Sequence, residues 1–136
     1  MPEVSVRTEF KAPAATVWSA VGDFCGIGKW LPGIQRVEAE NEGKRRRVVL
    51  PDGKAVVEDV ISRDEAAMSL SYRVVEGPMP FTAYVSTISV QPEASGCSVR
   101  WVGKFTPVGP EEKVAHLVKG IYGSALMGLK HYLGES

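Results

Sequence analysis

The feature that most constrains the fold is an amphipathic segment at residues 110–133. Apolar side chains recur there at three- and four-residue steps and share one helical face: Val114, Leu117, Val118, Ile121, Ala125 and Leu129. Pro110 suits the first helical turn, and Glu111 and Glu112 suit the positive end of the helix dipole. At 1.5 Å per residue this helix is about 35 Å long. Because a helix with one apolar stripe must bury it, the rest of the chain has to supply a receiving surface.

That surface is predicted to be a sheet, because most of the chain alternates apolar and polar residues between short turns. The predicted strands cover residues 3–10, 34–40, 44–50, 54–61, 68–75, 83–91 and 97–105, with a loop at 62–67. Two short helices, 13–21 and 23–29, follow the first strand, and Asp23 is expected to cap the second. Short connections predict an antiparallel meander. The fold class is therefore α+β, with a seven-stranded curved sheet around the long helix in a single domain, 1–136.

Composition narrows the partners and the compartment. The 136 residues are 44% hydrophobic and 24% charged, and the formal net charge is zero. We therefore expect no overall electrostatic attraction to nucleic acid. There is no N-terminal apolar run, which predicts neither a signal peptide nor stable membrane insertion. Cys25 and Cys97 are distant in sequence, and free thiols in a cytoplasmic protein are the expectation.

Several short segments, in this order, resemble the START-like or helix-grip superfamily (SRPBCC), and within it the polyketide cyclase/dehydrase and lipid-transport-like branch. They are AATVW at 14–18, GDF at 22–24, WLPGI at 30–34, PDG at 51–53, ED at 58–59, YRV at 72–74, GPMP at 77–80 and WVGKF at 101–105. The resemblance covers almost the whole chain. It implies a cup-shaped sheet that grips the last helix, with an apolar cavity between them.

The resemblance also implies two loops at the cavity entrance. The loop corresponding to the gate of plant hormone receptors contains Pro51, Asp52 and Gly53. In the loop corresponding to the latch, the receptors' His-Arg-Leu is replaced by Pro78, Met79 and Pro80, so hormone sensing is not implied. The same resemblance places on the pocket wall Glu58, Tyr84, Leu117, Ile121 and Ala125.

Three side chains are candidates for proton transfer: Glu58, Tyr72 and Tyr84. A carboxylate enclosed by apolar groups favours its protonated form and could donate or accept a proton, although an outward-facing Glu58 would simply be solvated. Each tyrosine could orient a polar ligand group or could be a core residue with a satisfied hydroxyl. Trp30 lies beside a turn, which makes it a candidate for the pocket rim.

The other polar features favour no site. His116 and His131 are about 22 Å apart along the predicted helix, too far to share a metal, and we expect neither a metal nor a cofactor. The basic run at 44–47 alternates on a strand, so we expect a solvated edge. Glycine in a helix costs up to about 1 kcal/mol, so the small residues Gly120, Gly123, Ser124 and Gly128 indicate close packing or room for a ligand.

Three functions remain open. The first is binding or transport of a small hydrophobic molecule (lipid, polyketide or aromatic) by a monomer or homodimer. The second is a polyketide cyclase- or dehydratase-like enzyme, and the third is a ligand-gated interaction protein. The predicted pocket comprises Trp30, Leu31, Leu50, Glu58, Tyr72, Met79, Tyr84, Trp101, Leu117, Ile121 and Ala125.

Overall fold

A computed structural model describes residues 2–135 and forms one antiparallel sheet of seven strands with two α-helices. In chain order the elements are β1 (Glu3–Phe10), α1 (Ala14–Val21), a 3-10 helix (Phe24–Lys29), β2 (Arg36–Glu40), a 3-10 turn (Asn41–Gly43), β3 (Arg45–Val49), β4 (Ala55–Asp64), β5 (Ser69–Glu76), β6 (Phe81–Glu93), β7 (Gly96–Pro107) and α2 (Glu111–Tyr132). The predicted helix-grip architecture is confirmed.

The sheet has the order β1-β7-β6-β5-β4-β3-β2, so β2 to β7 form a meander and β1 is added beside the last strand. The register of that closing pair runs from Glu3 opposite Lys104 to Phe10 opposite Cys97. Since β1 and β2 lie at opposite edges, α1 and the 3-10 helix must cross the sheet between them. Both α1 and α2 pack against the sheet, and α2 contacts β1 and β7.

The core lies between the inward sheet face and α2. The alternation predicted for β6 and β7 is confirmed except at Ser98, which is buried on the opposite face. The other buried side chains there are Tyr84, Ser86, Ile88, Val90, Cys97, Val99, Trp101 and Phe105. The face of α2 that packs on them consists of Val114, Val118, Tyr122, Ala125, Leu126 and Leu129. Each large apolar side chain buried in this way contributes about 1.5–3 kcal/mol.

Two residues of the predicted stripe of α2 are not buried against the sheet. Leu117 and Ile121 are 40% and 37% exposed, and Tyr122 is buried in their place. Helix α2 is rotated about its axis so that Val118 and Tyr122 face the sheet. Leu117 and Ile121 therefore lie beside the contact between the helix and the sheet. Tyrosine is not counted as strongly apolar in a pattern search, so its position gave a weak signal.

The ends of several strands also differ from the predictions. The predicted loop at 62–67 is wrong in its first part, because β4 continues to Asp64 beyond a register shift between Val60 and Ser62. Strand β6 begins at Phe81, and its pairing with β7 has a register irregularity between Thr82 and Val85. A bulge adds one residue to one strand only, so strict alternation cannot reveal it.

The second short helix is a 3-10 helix, and the predicted side-chain cap by Asp23 is absent. The Asp23 carboxylate instead lies 3.6 Å from the ammonium of Lys29, an exposed ion pair of small energetic weight. This segment leads directly into Trp30, which is buried.

Candidate functional site

A cavity of about 530 Å³ lies between the inner face of the sheet and α2. Apolar and aromatic side chains from both layers form most of its wall, including Ile27, Leu31, Val48, Val56, Val74, Phe81 and Trp101. The volume falls within the range of about 300–1,000 Å³ that is typical of small-molecule pockets. The space is therefore large enough for an organic molecule of several rings or a folded chain.

Helix α2 contributes both bulky and small residues to this wall. Leu117 and Ile121 line the cavity while remaining partly exposed, and Gly120 and Ser124 lie on the same side of the helix. A Cβ added at Gly120 would meet no atom within 4 Å, so the absence of a side chain here is not required by packing. The small residues leave the cavity open where larger ones would narrow it.

A buried ion pair joins strands β3 and β4 on the cavity wall. The Nε atom of Arg46 donates to Oε1 of Glu58 at 2.6 Å, and Nη1 donates to the backbone oxygen of Phe24 at 2.8 Å. The guanidinium also lies over two aromatic rings, 4.0 Å from the centroid of Phe24 and 4.8 Å from that of Tyr72. The side chains of Arg46 and Glu58 are only 4% and 11% exposed, so both charges are almost completely shielded from water.

A hydrogen-bonded cluster of hydroxyl groups adjoins this ion pair. Ser86 lies 3.0 Å from the hydroxyl of Tyr122, which in turn forms a short contact with the hydroxyl of Tyr84. The indole N–H of Trp101 donates to the hydroxyl oxygens of Tyr72 at 3.1 Å and Ser86 at 2.9 Å. Six members of these two groups line the cavity, and we call four of them, Arg46, Glu58, Tyr72 and Tyr84, the polar patch.

Burial raises the pKa of Tyr72, Tyr84 and Tyr122, in each case chiefly because a phenolate would lose its hydration. The negative charge of Glu58 adds to this effect at Tyr72. All three side chains are therefore neutral hydrogen-bonding groups at physiological pH. They can donate a proton in a hydrogen bond, but they are not poised as general bases.

The structure brings nearly all of the predicted pocket residues together around one cavity. Those that line the cavity are Leu31, Leu50, Glu58, Tyr72, Met79, Tyr84, Trp101, Leu117, Ile121 and Ala125. Whether they contact a ligand stays a prediction. Trp30 does not line the cavity, because its side chain is buried edge-on against Trp101 with ring centroids 6.3 Å apart.

Both predicted entrance loops adjoin the cavity through a single residue each. Leu50 precedes the turn formed by Pro51, Asp52 and Gly53, whereas Met79 lies between the exposed Pro78 and the half-buried Pro80. The turn is held by a bond from the Gly53 N–H to the Leu50 oxygen at 2.9 Å. Their opening or closing stays a prediction.

The cavity-lining residues that sequence reasoning missed include Arg46 and Tyr122. The basic run was expected to be a solvated edge, but Arg46 points inward while its neighbours Arg45 and Arg47 pair on the outer face with Asp59 and Glu40. The sequence did contain a signal for Arg46, because side chains two residues apart on a strand share a face and Val48 is apolar. Glu58 also differs from the expectation, since it is paired with a cation rather than enclosed by apolar groups alone.

The part of the chain that the structure describes contains no cluster of potential metal ligands. Within residues 2–135, no three side chains from His, Cys, Asp and Glu come close enough to hold one metal ion. His116 lines the cavity but is exposed. Among the same residues, no helix has the length and apolar character needed to cross a membrane.

A curved sheet that grips a long helix around an apolar-walled cavity defines the helix-grip, or SRPBCC, class of proteins. Within this class, the chain belongs to the family described as polyketide cyclase / dehydrase and lipid transport, which matches residues 1–134.

Three proteins illustrate the similarity. MLP-like protein 423 from Arabidopsis thaliana is 27% identical, and the alignment covers 94% of this chain and 91% of that protein. The structure of XoxI from Bacillus cereus superposes with a TM-score of 0.91 at 29% identity, covering 96% of this chain and 94% of that one. The di-domain ARO/CYC BexL from the BE-7585A biosynthetic pathway has a TM-score of 0.82 at 22% identity, covering 98% of this chain and 47% of that one, which shows the shared fold alone.

Proposed function

We propose that this protein binds a small, largely apolar molecule in the cavity between the sheet and α2. The observation that carries the proposal is the cavity itself, which has mostly apolar walls and a volume of about 530 Å³. A folded chain normally packs its interior closely, so a space of this size next to exposed Leu117 and Ile121 is a cost that a bound ligand would offset. Family membership supports the same function, since the family description includes lipid transport.

The position of the polar groups supports binding with a defined orientation. The polar patch occupies one part of a wall that is otherwise apolar, so a ligand with one polar end would bind in one direction. Apolar burial supplies roughly 25 cal/mol per Å², and the polar groups select the orientation.

Native mass spectrometry of freshly purified protein tests whether a small molecule is carried. Titration with the neutral fluorophore Nile red then measures the site directly. We expect saturable binding that Leu117→Trp and Ile121→Trp weaken by about tenfold, because either indole would narrow the cavity.

Met127→Trp is the matched control for these variants. Met127 lies on the same helix, is 67% exposed and does not line the cavity, so this indole should leave binding unchanged. If all three tryptophan variants bind Nile red like the unmodified chain, the dye does not occupy this cavity and the binding proposal fails.

A cyclase- or dehydratase-like enzyme is the second candidate, favoured by the carboxylate of Glu58 and the hydroxyls of Tyr72 and Tyr84 on one patch of wall. In such an enzyme Glu58 would be the base, because the raised pKa values keep both tyrosines protonated. Glu58→Gln distinguishes the two functions: it should abolish turnover of a poly-ketone substrate in an enzyme but only reduce affinity in a carrier.

The third hypothesis, a ligand-gated interaction protein, depends on movement of the entrance loops. Leu50 and Met79 line the cavity, so a ligand there would contact both loops. Hydrogen exchange with and without ligand tests this hypothesis. Unchanged exchange at residues 51–53 together with an unchanged oligomeric state would exclude it.

A further inference from the structure

The two edges of the sheet differ in what covers them. Strand β2, at one edge, has five residues and packs against the 3-10 helix, where a Cβ added at Gly28 would lie 3.1 Å from Cγ2 of Val37. Strand β1, at the other edge, has eight residues and pairs with β7 without a register shift. Helix α2 packs on its inward face, where Val4 and Phe10 are buried. Strand β1 contains no proline and no bulge, two of the features that stop edge strands from pairing with other chains.

The backbone of β1 exposes a row of unused hydrogen-bonding groups. The N–H of Phe105 donates to the oxygen of Pro2 at 3.4 Å, so these two residues form a hydrogen-bonded pair that extends the register between β1 and β7. Because such pairs alternate along an antiparallel ladder, the even-numbered residues of β1 bond to β7 and the odd-numbered residues direct their N–H and C=O groups to the edge. Among residues 2–135, no backbone hydrogen bond outside the ladder uses these edge groups.

The side chains at this edge favour one register for pairing with a second copy of the chain. If two β1 strands pair antiparallel about a two-fold axis at Ser5, Glu3 of each copy lies opposite Arg7 of the other. An axis at Val6 would place Glu3 opposite Glu9, and an axis at Arg7 would place two arginines opposite each other. Like charges in opposition are unfavourable, so the register centred on Ser5 is preferred.

Helix α2 has a matching complementarity on the flank that faces the β1 edge. The ammonium of Lys130 lies 5.4 Å from the ring centroid of Phe10, which places this flank on the β1 side. Glu112 shares the flank, because the 18 residues between the two positions are about five helical turns. Gly123 lies on it as well, and a Cβ added there would meet no atom within 4 Å. An antiparallel copy of the helix would therefore bring Glu112 beside Lys130 of the other copy, with the centre of the pair near residue 121.

The centres of the two complementary patterns lie at nearly the same height along β1. Tyr122, next to the centre of the helix pair, places its hydroxyl over Gly103, and Gly103 is paired with Val4. Val4 is the neighbour of Ser5, the centre of the strand pair. A single two-fold axis can therefore relate both the strands and the helices.

We infer that two copies of this protein associate through the β1 edge, antiparallel and centred on Ser5, with their α2 helices side by side. The two sheets then form one continuous sheet. Each copy keeps its own cavity, because Leu117 and Ile121 line that cavity from the other flank of α2. The association is therefore independent of the proposed binding function. The shared strand pair is short, so we expect a weak association that depends on protein concentration.

Sedimentation velocity over a concentration series at low salt measures this association, since salt screens exposed charge pairs. We expect a reversible equilibrium between monomer and dimer. Glu3→Arg and Arg7→Glu should each raise the dissociation constant about tenfold, because each places like charges in opposition, and the double variant should restore most of the affinity. Glu38→Arg is the matched control: it makes the same charge change on β2 at the opposite edge, where Glu38 is 43% exposed, and should leave the dissociation constant unchanged.

Disulfide formation tests the register. At the two-fold axis the Cα atoms of the two Ser5 residues would be about 5.5 Å apart, a distance that a disulfide can bridge. Ser5→Cys should therefore give a covalent dimer under mild oxidation. Glu3→Cys is the matched control, because its two Cα atoms would be about 14 Å apart. Both variants are made together with Cys25→Ser, since Cys25 is a partly exposed native thiol.

The outcomes are distinct. A monomer at every concentration would overturn the inference and leave an extended segment of another protein as the alternative occupant of the edge. A dimer that tolerates both single charge reversals, in variants shown to be folded by circular dichroism, would also overturn it. Crosslinking of Glu3→Cys as readily as Ser5→Cys would exclude the register. None of these results affects Nile red binding, so the association and the binding function can fail separately.

Discussion

The hydroxyl group of Tyr122 on α2 occupies the space above Gly103 on β7 where any other residue would place its Cβ atom. Gly103 lies on the inward face between Trp101 and Phe105. Because it has no side chain, it leaves a gap in the core between these two aromatic residues. Tyr122 fills the gap and stacks on Trp101, with ring centroids 4.8 Å apart and planes 6° from parallel. The contact fixes the distance between the gripping sheet and the helix.

Gly103→Ala should therefore destabilise the protein by about 1–3 kcal/mol, the usual cost of overpacking a close contact. The new methyl group would push the Tyr122 hydroxyl away from Ser86 and Tyr84. Denaturant unfolding followed by circular dichroism measures the loss. The double variant Gly103→Ala with Tyr122→Phe relieves the clash, so it should be more stable than the two single effects added together. Strict additivity would contradict the proposed contact.

The buried pair of Arg46 and Glu58 gives a second prediction. Arg46→Met leaves the Glu58 carboxylate and the Phe24 oxygen without their donor, and we expect a loss of about 3–5 kcal/mol in the free energy of unfolding. Arg36→Met is the control, because Arg36 is paired with Glu38 at 2.8 Å but is 56% exposed. It should cost less than about 1 kcal/mol. If Arg46→Met and Arg36→Met lowered the free energy of unfolding by similar amounts, burial would not strengthen the pair of Arg46 and Glu58.

The strand and helix types could be predicted because each reflects a period that is visible in the sequence. Two-residue alternation in β5 to β7 and three- to four-residue steps in α2 are direct consequences of which faces are buried. The bulges at Ile61 and Ala83 could not be predicted, since an extra residue changes the register without changing local composition.

The site was less predictable than the fold because its polar contacts join residues distant in sequence. Glu58 was identified through a resemblance and Tyr72 as a tyrosine on an alternating strand. Nothing in either segment indicated that Arg46 would bind Glu58 or that Trp101 would bind Tyr72. Trp30 was placed at the rim because a turn follows it, whereas α2 covers it at Gly128. Pair contacts of this kind depend on the distance between layers, which no local pattern encodes.

The contact between Gly128 and the segment after the 3-10 helix gives a third prediction. A Cβ added at Gly128 would overlap the backbone oxygen of Trp30 and lie 2.8 Å from Cδ of Pro32. Gly128→Ala should therefore destabilise the protein by about 1–3 kcal/mol in spite of the better helix propensity of alanine. Gly123→Ala is the matched control, because a Cβ there meets nothing within 4 Å and should stabilise the helix by about 0.5–1 kcal/mol. Thermal unfolding of both variants checks the opposite signs, and a gain in both would refute the close approach.

The last prediction concerns the dependence of stability on pH at Glu135, just beyond α2. Burial raises the pKa of this carboxyl, but the backbone N–H groups of Lys11 and Ala12, at 2.7 and 3.0 Å, and the nearby lysine charges outweigh it, so the net pKa is lowered. A pKa lower in the folded than in the unfolded state means that the carboxylate stabilises the fold above its ordinary value of 4.5, and that this contribution is lost as the pH falls through the folded pKa. Glu135→Gln should cost about 1 kcal/mol at neutral pH, a modest amount because the group is partly solvated. The difference between the two proteins should shrink as unfolding is measured at progressively lower pH. Glu42→Gln controls for the change in net charge, because Glu42 is exposed and far from this contact. If the stability lost in Glu135→Gln did not change with pH, the charge of Glu135 would not hold the end of α2 to the turn after β1.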